Sequence, residues 1–222
     1  MEGVEEYWEN KDISKLYFCP NLSLFRFLSK LSFYPNNKEV LEIGFNSGAD
    51  LLEFKRRGAN VYGLDLNPLV VSNINLEDKS RVKVCKCGKE PIPFKASFDL
   101  IYSRDTIYYF SDKEIEFFLN DSSKKLNNNG LIIIQFIETD LRIKKCQFED
   151  DINFQLLNNG IREPLFPSDH PIRFLKSKDL INIARNSNLK LLASKRLIQS
   201  YDLYEERFRV DRYLAFKLKQ YS

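Results

Sequence analysis

Several chemistries are scarce in this chain. A single histidine, His170, leaves one imidazole able to accept a proton near neutrality. Of the four cysteines, at positions 19, 85, 87 and 146, only Cys85 and Cys87 form a close pair. No second pair stands at zinc-site spacing, so a metal centre is not expected. Neither sign of charge dominates: 34 Lys and Arg face 31 Asp and Glu, largely interleaved, for a net charge of +3. That leaves no electrostatic track for nucleic acid, and pairs such as Arg56-Arg57 and Lys144-Lys145 read as solvated surface. Long apolar runs are missing too, which argues against a membrane span. The stretch Met1-Glu2-Gly3-Val4-Glu5-Glu6 lacks the basic and apolar regions of an export signal. Internal repeats and long low-complexity tracts are absent. A cytoplasmic protein with reduced thiols is expected.

What is present is a globular composition, 43% hydrophobic and 14% aromatic, with 18 Phe. Its 222 residues suit one α/β domain over 1–222. Asn21 to Ser32 carries Leu22, Leu24, Phe25, Phe27, Leu28 and Leu31 at helical periodicity, within an amino-terminal helical segment over 1–34. Strands are expected near 38–43, 60–65, 82–86, 98–103 and 131–137, with helices near 49–57, 67–75 and 112–126. Such alternation predicts a parallel sheet with right-handed crossovers. Residues 139–172 are polar and broken by Gly160, Pro164, Pro167 and Pro171. A loop of that length reads as a substrate lid, placed over 138–175. A helix over 177–187 and two strands, 189–199 and 207–219, complete the pattern.

The chemistry concentrates in Val40-Leu41-Glu42-Ile43-Gly44-Phe45-Asn46-Ser47-Gly48 and, one βαβ unit later, Val61-Tyr62-Gly63-Leu64-Asp65. An apolar strand runs into a glycine turn and then a helix whose first N–H groups lack partners. Gly58 is suited to end that helix. A second strand ends on Asp65, where a carboxylate can accept hydrogen bonds from ribose hydroxyls. A dinucleotide turn, G-x-G-x-x-G/A, would need glycine where Asn46 stands, although Ala49 and Asp65 suit one. An NAD-dependent oxidoreductase is therefore the rival enzyme class.

The E-x-G-x-x-x-G pattern from Glu42 to Gly48 resembles the first motif of class I S-adenosylmethionine-dependent methyltransferases. The resemblance continues through a third strand over Arg81 to Cys87, the loop Cys87 to Phe94, and a fourth strand, Phe98 to Ser103. It ends with a turn at Leu126 to Gly130 leading into Leu131 to Phe136. It implies a Rossmann-like, seven-stranded, mostly parallel sheet flanked by helices, with the last strand antiparallel. The cofactor implied is S-adenosylmethionine, with S-adenosylhomocysteine as product. Glu42 would orient the turn and meet the methionine ammonium through water, with Gly44, Phe45, Asn46 and Gly48 along the amino-acid end. Asp65 would hold the ribose and Leu66 the adenine, with Ser103 and Trp8 completing the cofactor site. Where the family often has an acidic residue against the adenine amino group this chain has Gly88, leaving backbone groups of Cys87, Gly88 and Lys89.

On the acceptor side, Asp105 and Tyr108 follow the fourth strand and His170 lies in the lid; these are the candidate proton acceptors. Asp105 could instead cap the next helix, and His170 could serve a structural hydrogen bond. Arg104 and Arg173 could bind a carboxylate or phosphate, or pair on the surface. Tyr7 and Trp8 could fold an amino-terminal segment over the cofactor, with Tyr7 also reaching the substrate, or both could simply pack the first helix. Ser103-Arg104-Asp105-Thr106 is unlike the N/D-P-P-Y/F motif of base amino-methylation, and Cys19-Pro20 reverses the cytosine-5 order. The layout is most similar to small-molecule methyltransferases, including those near sugar or polysaccharide biosynthesis. A hydroxyl, amine or carboxylate acceptor follows, with a catalytically silent nucleoside-binding protein as the third reading.

Overall fold

The computed structural model describes residues 4–10, 19–138, 155–156, 171–172, 175–200 and 208–219. After α1 (Val4–Asn10), the helix predicted from Asn21 forms as α2 (Leu22–Lys30). Its start is set by Asn21, whose side-chain oxygen accepts the N–H groups of Ser23 and Leu24 at 3.1 and 3.2 Å. Its buried stripe of Leu24, Phe25, Phe27 and Leu28 sets Phe25 against Phe54 and Phe27 against Tyr213.

The body alternates as expected: β1 (Glu39–Ile43), α3 (Ala49–Arg56), β2 (Asn60–Asp65), α4 (Pro68–Asn73), β3 (Val82–Val84), β4 (Phe98–Arg104), α5 (Asp112–Lys125) and β5 (Leu126–Ile137). Then come β6 (Gln155–Leu156), β7 (Pro171–Ile172), α6 (Ser177–Asn186), β8 (Leu189–Ser200) and β9 (Phe208–Leu218). The main sheet has seven strands in the order β3-β2-β1-β4-β5-β9-β8. Its first five are parallel, and β9 runs antiparallel to both β5 and β8. Both faces of the sheet are covered. Ile132, Ile134 and Phe136 of β5 join Ile115, Leu119 and Leu180 in one core. Leu131 and Ile133 join Leu24, Leu51 and Phe54 in the other. Each such side chain contributes about 1.5–3 kcal/mol on burial.

Two boundaries differ from the sequence reading. β3 is only three residues long: it starts where expected, but the chain leaves the ladder after Val84 and turns over Lys86–Glu90, where the Lys89 and Glu90 N–H groups both donate to the Lys86 carbonyl. Leu126 to Gly130 belongs to β5 instead of forming a turn. Phe98 pairs with Leu126 but Leu100 with Leu131, so a register shift absorbs the extra residues while Leu126 stays buried. The expected lid over 138–175 falls mostly outside the described residues. Within it, β6 pairs antiparallel with β7, and Glu138 bridges to Leu175.

Candidate active site

Strand order reverses between β1 and β4, so the carboxyl ends of these strands border a crevice. At its floor Gly44 has φ +70°, and a Cβ there would lie 2.2 Å from Thr106 Oγ1, so only glycine fits. Asn46 follows in the left-handed region at φ 50°, which asparagine tolerates. Its N–H donates to Asp65 Oδ2 at 2.8 Å, and the Asn67 N–H donates to Asp65 Oδ1 at 2.9 Å. Burial pushes the Asp65 carboxyl up, opposed by the N–H groups of Asn67, Asn46 and Leu66. Each oxygen keeps a lone pair for a ribose hydroxyl. The Asn46 N–H is thus directed at Asp65, away from any pyrophosphate. This feature fits a turn without a diphosphate to cradle.

Behind the turn lies a buried polar cluster. Glu42 is 2% exposed, and its Oε2 has no hydrogen-bond partner among the described residues. Burial raises its pKa well above the ordinary value; Asp50 adds to the shift, and the Arg104 charge opposes it. Asp50 accepts the Asn21 N–H at 2.5 Å and the Tyr102 hydroxyl at 3.5 Å, and its Oδ2 lies 3.2 Å from Arg104 Nη1. Burial outweighs Arg104 at Asp50, whose pKa is also raised. Arg104, expected to receive a substrate anion, lines the crevice, but its guanidinium is paired with this buried acid.

Of the other residues expected at the site, Phe45, Leu66, Cys87, Lys89, Trp8, Asp105 and Tyr108 line the crevice with Gly44, Asn46 and Asp65. Glu42, Gly48, Gly88, Ser103 and Tyr7 are not among the lining residues. Gly48 is the N-cap of α3, Ser103 is buried between Ile43 and Ile134, and Tyr7 packs edge-on to Trp8 at 5.2 Å. His170 and Arg173 lie outside the described residues. Asp105 is not a cap: Ser111 caps α5, and Thr106 stands at the start of the intervening 3-10 turn. Asp105 has φ 52°, and its N–H donates to the backbone and side-chain oxygens of Gln135 at 3.2 and 3.1 Å. Gln135 Nε2 in turn donates to Asp211 Oδ1 at 2.7 Å.

Tyr109, Phe110, Thr106, Asn67 and Glu114 also line the crevice, and the sequence reading missed them. For Glu114 a signal existed in Ser111-x-x-Glu114, a capping box with both halves formed. Trp8 meets Tyr109 edge-on at 5.4 Å, and Lys86 Nζ lies 3.1 Å from Glu9 Oε1, holding α1 against the loop after β3. Among the described residues, no cluster of three or more His, Cys, Asp or Glu is placed to hold a metal. No helix there is long and apolar enough to cross a membrane.

A doubly covered parallel sheet with an inserted antiparallel β9, a glycine turn after β1 and a carboxylate ending β2 together define the class I, S-adenosylmethionine-dependent methyltransferase fold. The chain belongs to the methyltransferase domain family, whose match covers residues 17–194. It is 27% identical over 158 residues to a ubiquinone biosynthesis O-methyltransferase of Pelagibacter ubique, covering 70% of this chain and 62% of that protein. The matched stretch therefore spans less than two thirds of that relative. Its fold is similar to an S-adenosylmethionine-dependent methyltransferase of Clostridium acetobutylicum, with TM-score 0.66, 13% identity and 89% of each chain covered. It is also similar to magnesium protoporphyrin IX methyltransferase of Synechocystis with bound SAH, with TM-score 0.64, 14% identity, and 89% and 81% covered.

Proposed function

We propose that this protein transfers the methyl group of S-adenosylmethionine to a hydroxyl of a small metabolite, with an amine or carboxylate as the alternative acceptor atom. The observation that carries this reading is the Asn46–Asp65 tie at the turn, together with the orphaned Glu42 oxygen in β1. It provides a carboxylate for ribose hydroxyls, no amide aimed at a pyrophosphate, and a buried acceptor for water bound to an ammonium. These residues fit S-adenosylmethionine, which when bound supplies an electrophilic methyl carbon on a sulfonium.

The chain's own work is alignment and exclusion of water. Asp65 fixes the ribose, the Gly44-to-Ser47 turn lies along the amino-acid end, and Trp8 and Tyr109 close one side. Asp105, held by Gln135 at the end of β4, is the proton acceptor for the incoming hydroxyl, with His170 as its rival. The O-methyltransferase relative supports oxygen as the acceptor atom. A sugar or polysaccharide precursor is one small metabolite of this kind.

Calorimetry with S-adenosylhomocysteine and NAD tests the cofactor, and labelled-methyl transfer into a metabolite extract tests catalysis. Binding of NAD but not S-adenosylhomocysteine overturns the proposal. Binding without transfer to any extract assigns the chain a silent, nucleoside-holding role.

A further inference from the structure

Among the described residues, three carboxylates line the crevice: Asp65 at the end of β2, Asp105 just after β4, and Glu114 in the first turn of α5. The first two have the roles argued above. Glu114 stands apart from both, against the loop that follows β3. A Cβ on Gly88 would lie 3.2 Å from Glu114 Cβ and 3.2 Å from the Phe110 ring. Gly88 itself sits at φ +91°. A side chain at position 88 itself would be strained and crowded, and Glu114 packs where it would begin.

The rest of the carboxylate is already held in place. Glu114 Oε2 accepts the Ser111 N–H at 2.6 Å and the Ser111 hydroxyl at 2.7 Å. Oε1 lies 3.5 Å from Lys89 Nζ, and the side chain is 16% exposed. With Oε2 fixed, Oε1 retains acceptor capacity toward the crevice.

We propose that Glu114 reads the exocyclic amino group of the purine of a nucleoside held at Asp65, the Gly88 loop being stripped of its side chain to admit it. This rests on the nucleoside reading of the crevice. A carboxylate oxygen is acceptor-only, so it accepts a hydrogen bond from a 6-amino group and repels a 6-oxo group. The specificity for adenine over hypoxanthine thus comes from α5, while the capping box holds the carboxylate in one orientation.

The test compares S-adenosylhomocysteine with its 6-oxo, hypoxanthine analogue by calorimetry, on the full chain and on Glu114→Gln. Glutamine keeps the capping box, and its amide can donate to a 6-oxo group. The unaltered protein should prefer the 6-amino ligand by about tenfold to a hundredfold, as expected for one charge-assisted hydrogen bond. Glu114→Gln should bring the two ligands close to parity. Parity in the unaltered protein overturns the proposal without recourse to any variant, and so does an undiminished preference in Glu114→Gln. Failure of the unaltered protein to bind either ligand overturns the nucleoside reading, and the inference with it.

Discussion

The Asp65 carboxylate accepts the backbone N–H of Asn46 at 2.8 Å, joining the end of the second strand to the turn after the first. One side chain thereby fixes the turn and presents acceptor lone pairs to a ligand. Asp65→Ala should weaken S-adenosylhomocysteine binding by about tenfold or more, the loss of at least one charge-assisted hydrogen bond. Calorimetry beside circular dichroism checks this. Unchanged affinity in a folded variant removes Asp65 from the ribose.

Glu42 yields a pH prediction. Its folded-state pKa is raised by burial, so between the ordinary value of 4.5 and the raised value the native state binds more protons than the unfolded chain. Its contribution to stability therefore falls as pH rises through that window. Glu42→Gln removes this titration. The variant should melt with the parent near pH 4 and above it near pH 8. A gap of about 2–4 °C corresponds to 1 kcal/mol in a chain of this size. Cofactor affinity should drop in the same variant. A melting difference independent of pH contradicts the assignment.

Arg104 and Asp50 should behave as a structural pair. Removing one partner strands a buried charge, at a cost of about 3–5 kcal/mol. Arg104→Met and Asp50→Asn should each lower the urea midpoint strongly, and the double variant should lose less than the sum. Additive losses in that cycle would show the two to be uncoupled.

Trp8 is the sole tryptophan and lies in the crevice wall against Tyr109. Titration with S-adenosylhomocysteine should shift or quench its emission, and Trp8→Phe should abolish the signal. Saturating ligand without a spectral change would place Trp8 away from the bound nucleoside.

These residues also mark what the sequence could and could not convey. The element order was legible because strand and helix periodicities are local, and Gly44 and Asp65 were legible because a single βαβ unit holds both. The Arg104 pairing was not legible: Arg104 ends β4 while its partner Asp50 opens α3, and only the β1–β4 pairing draws the two together. Glu114 was missed: Ser111-x-x-Glu114 spells only a capping box, and its reach into the crevice depends on how α5 meets Gly88. The shortness of β3 reflects the turn over Lys86–Glu90 that follows it, which alternating residues up to Cys87 do not reveal.

The placement of β9 bears on how the chain is made. β8 pairs with no strand of the main sheet except β9, and β9 alone covers the outer side of β5. During synthesis, then, β5 stays an open edge until Phe208–Leu218 has left the ribosome, and β8 must wait beside it without a docking place. The nascent chain carries this adhesive edge from the completion of β5 until β9 emerges. Protection at that stage falls to chaperones or to rapid elongation, and a stall before residue 208 exposes the sheet to pairing with other chains.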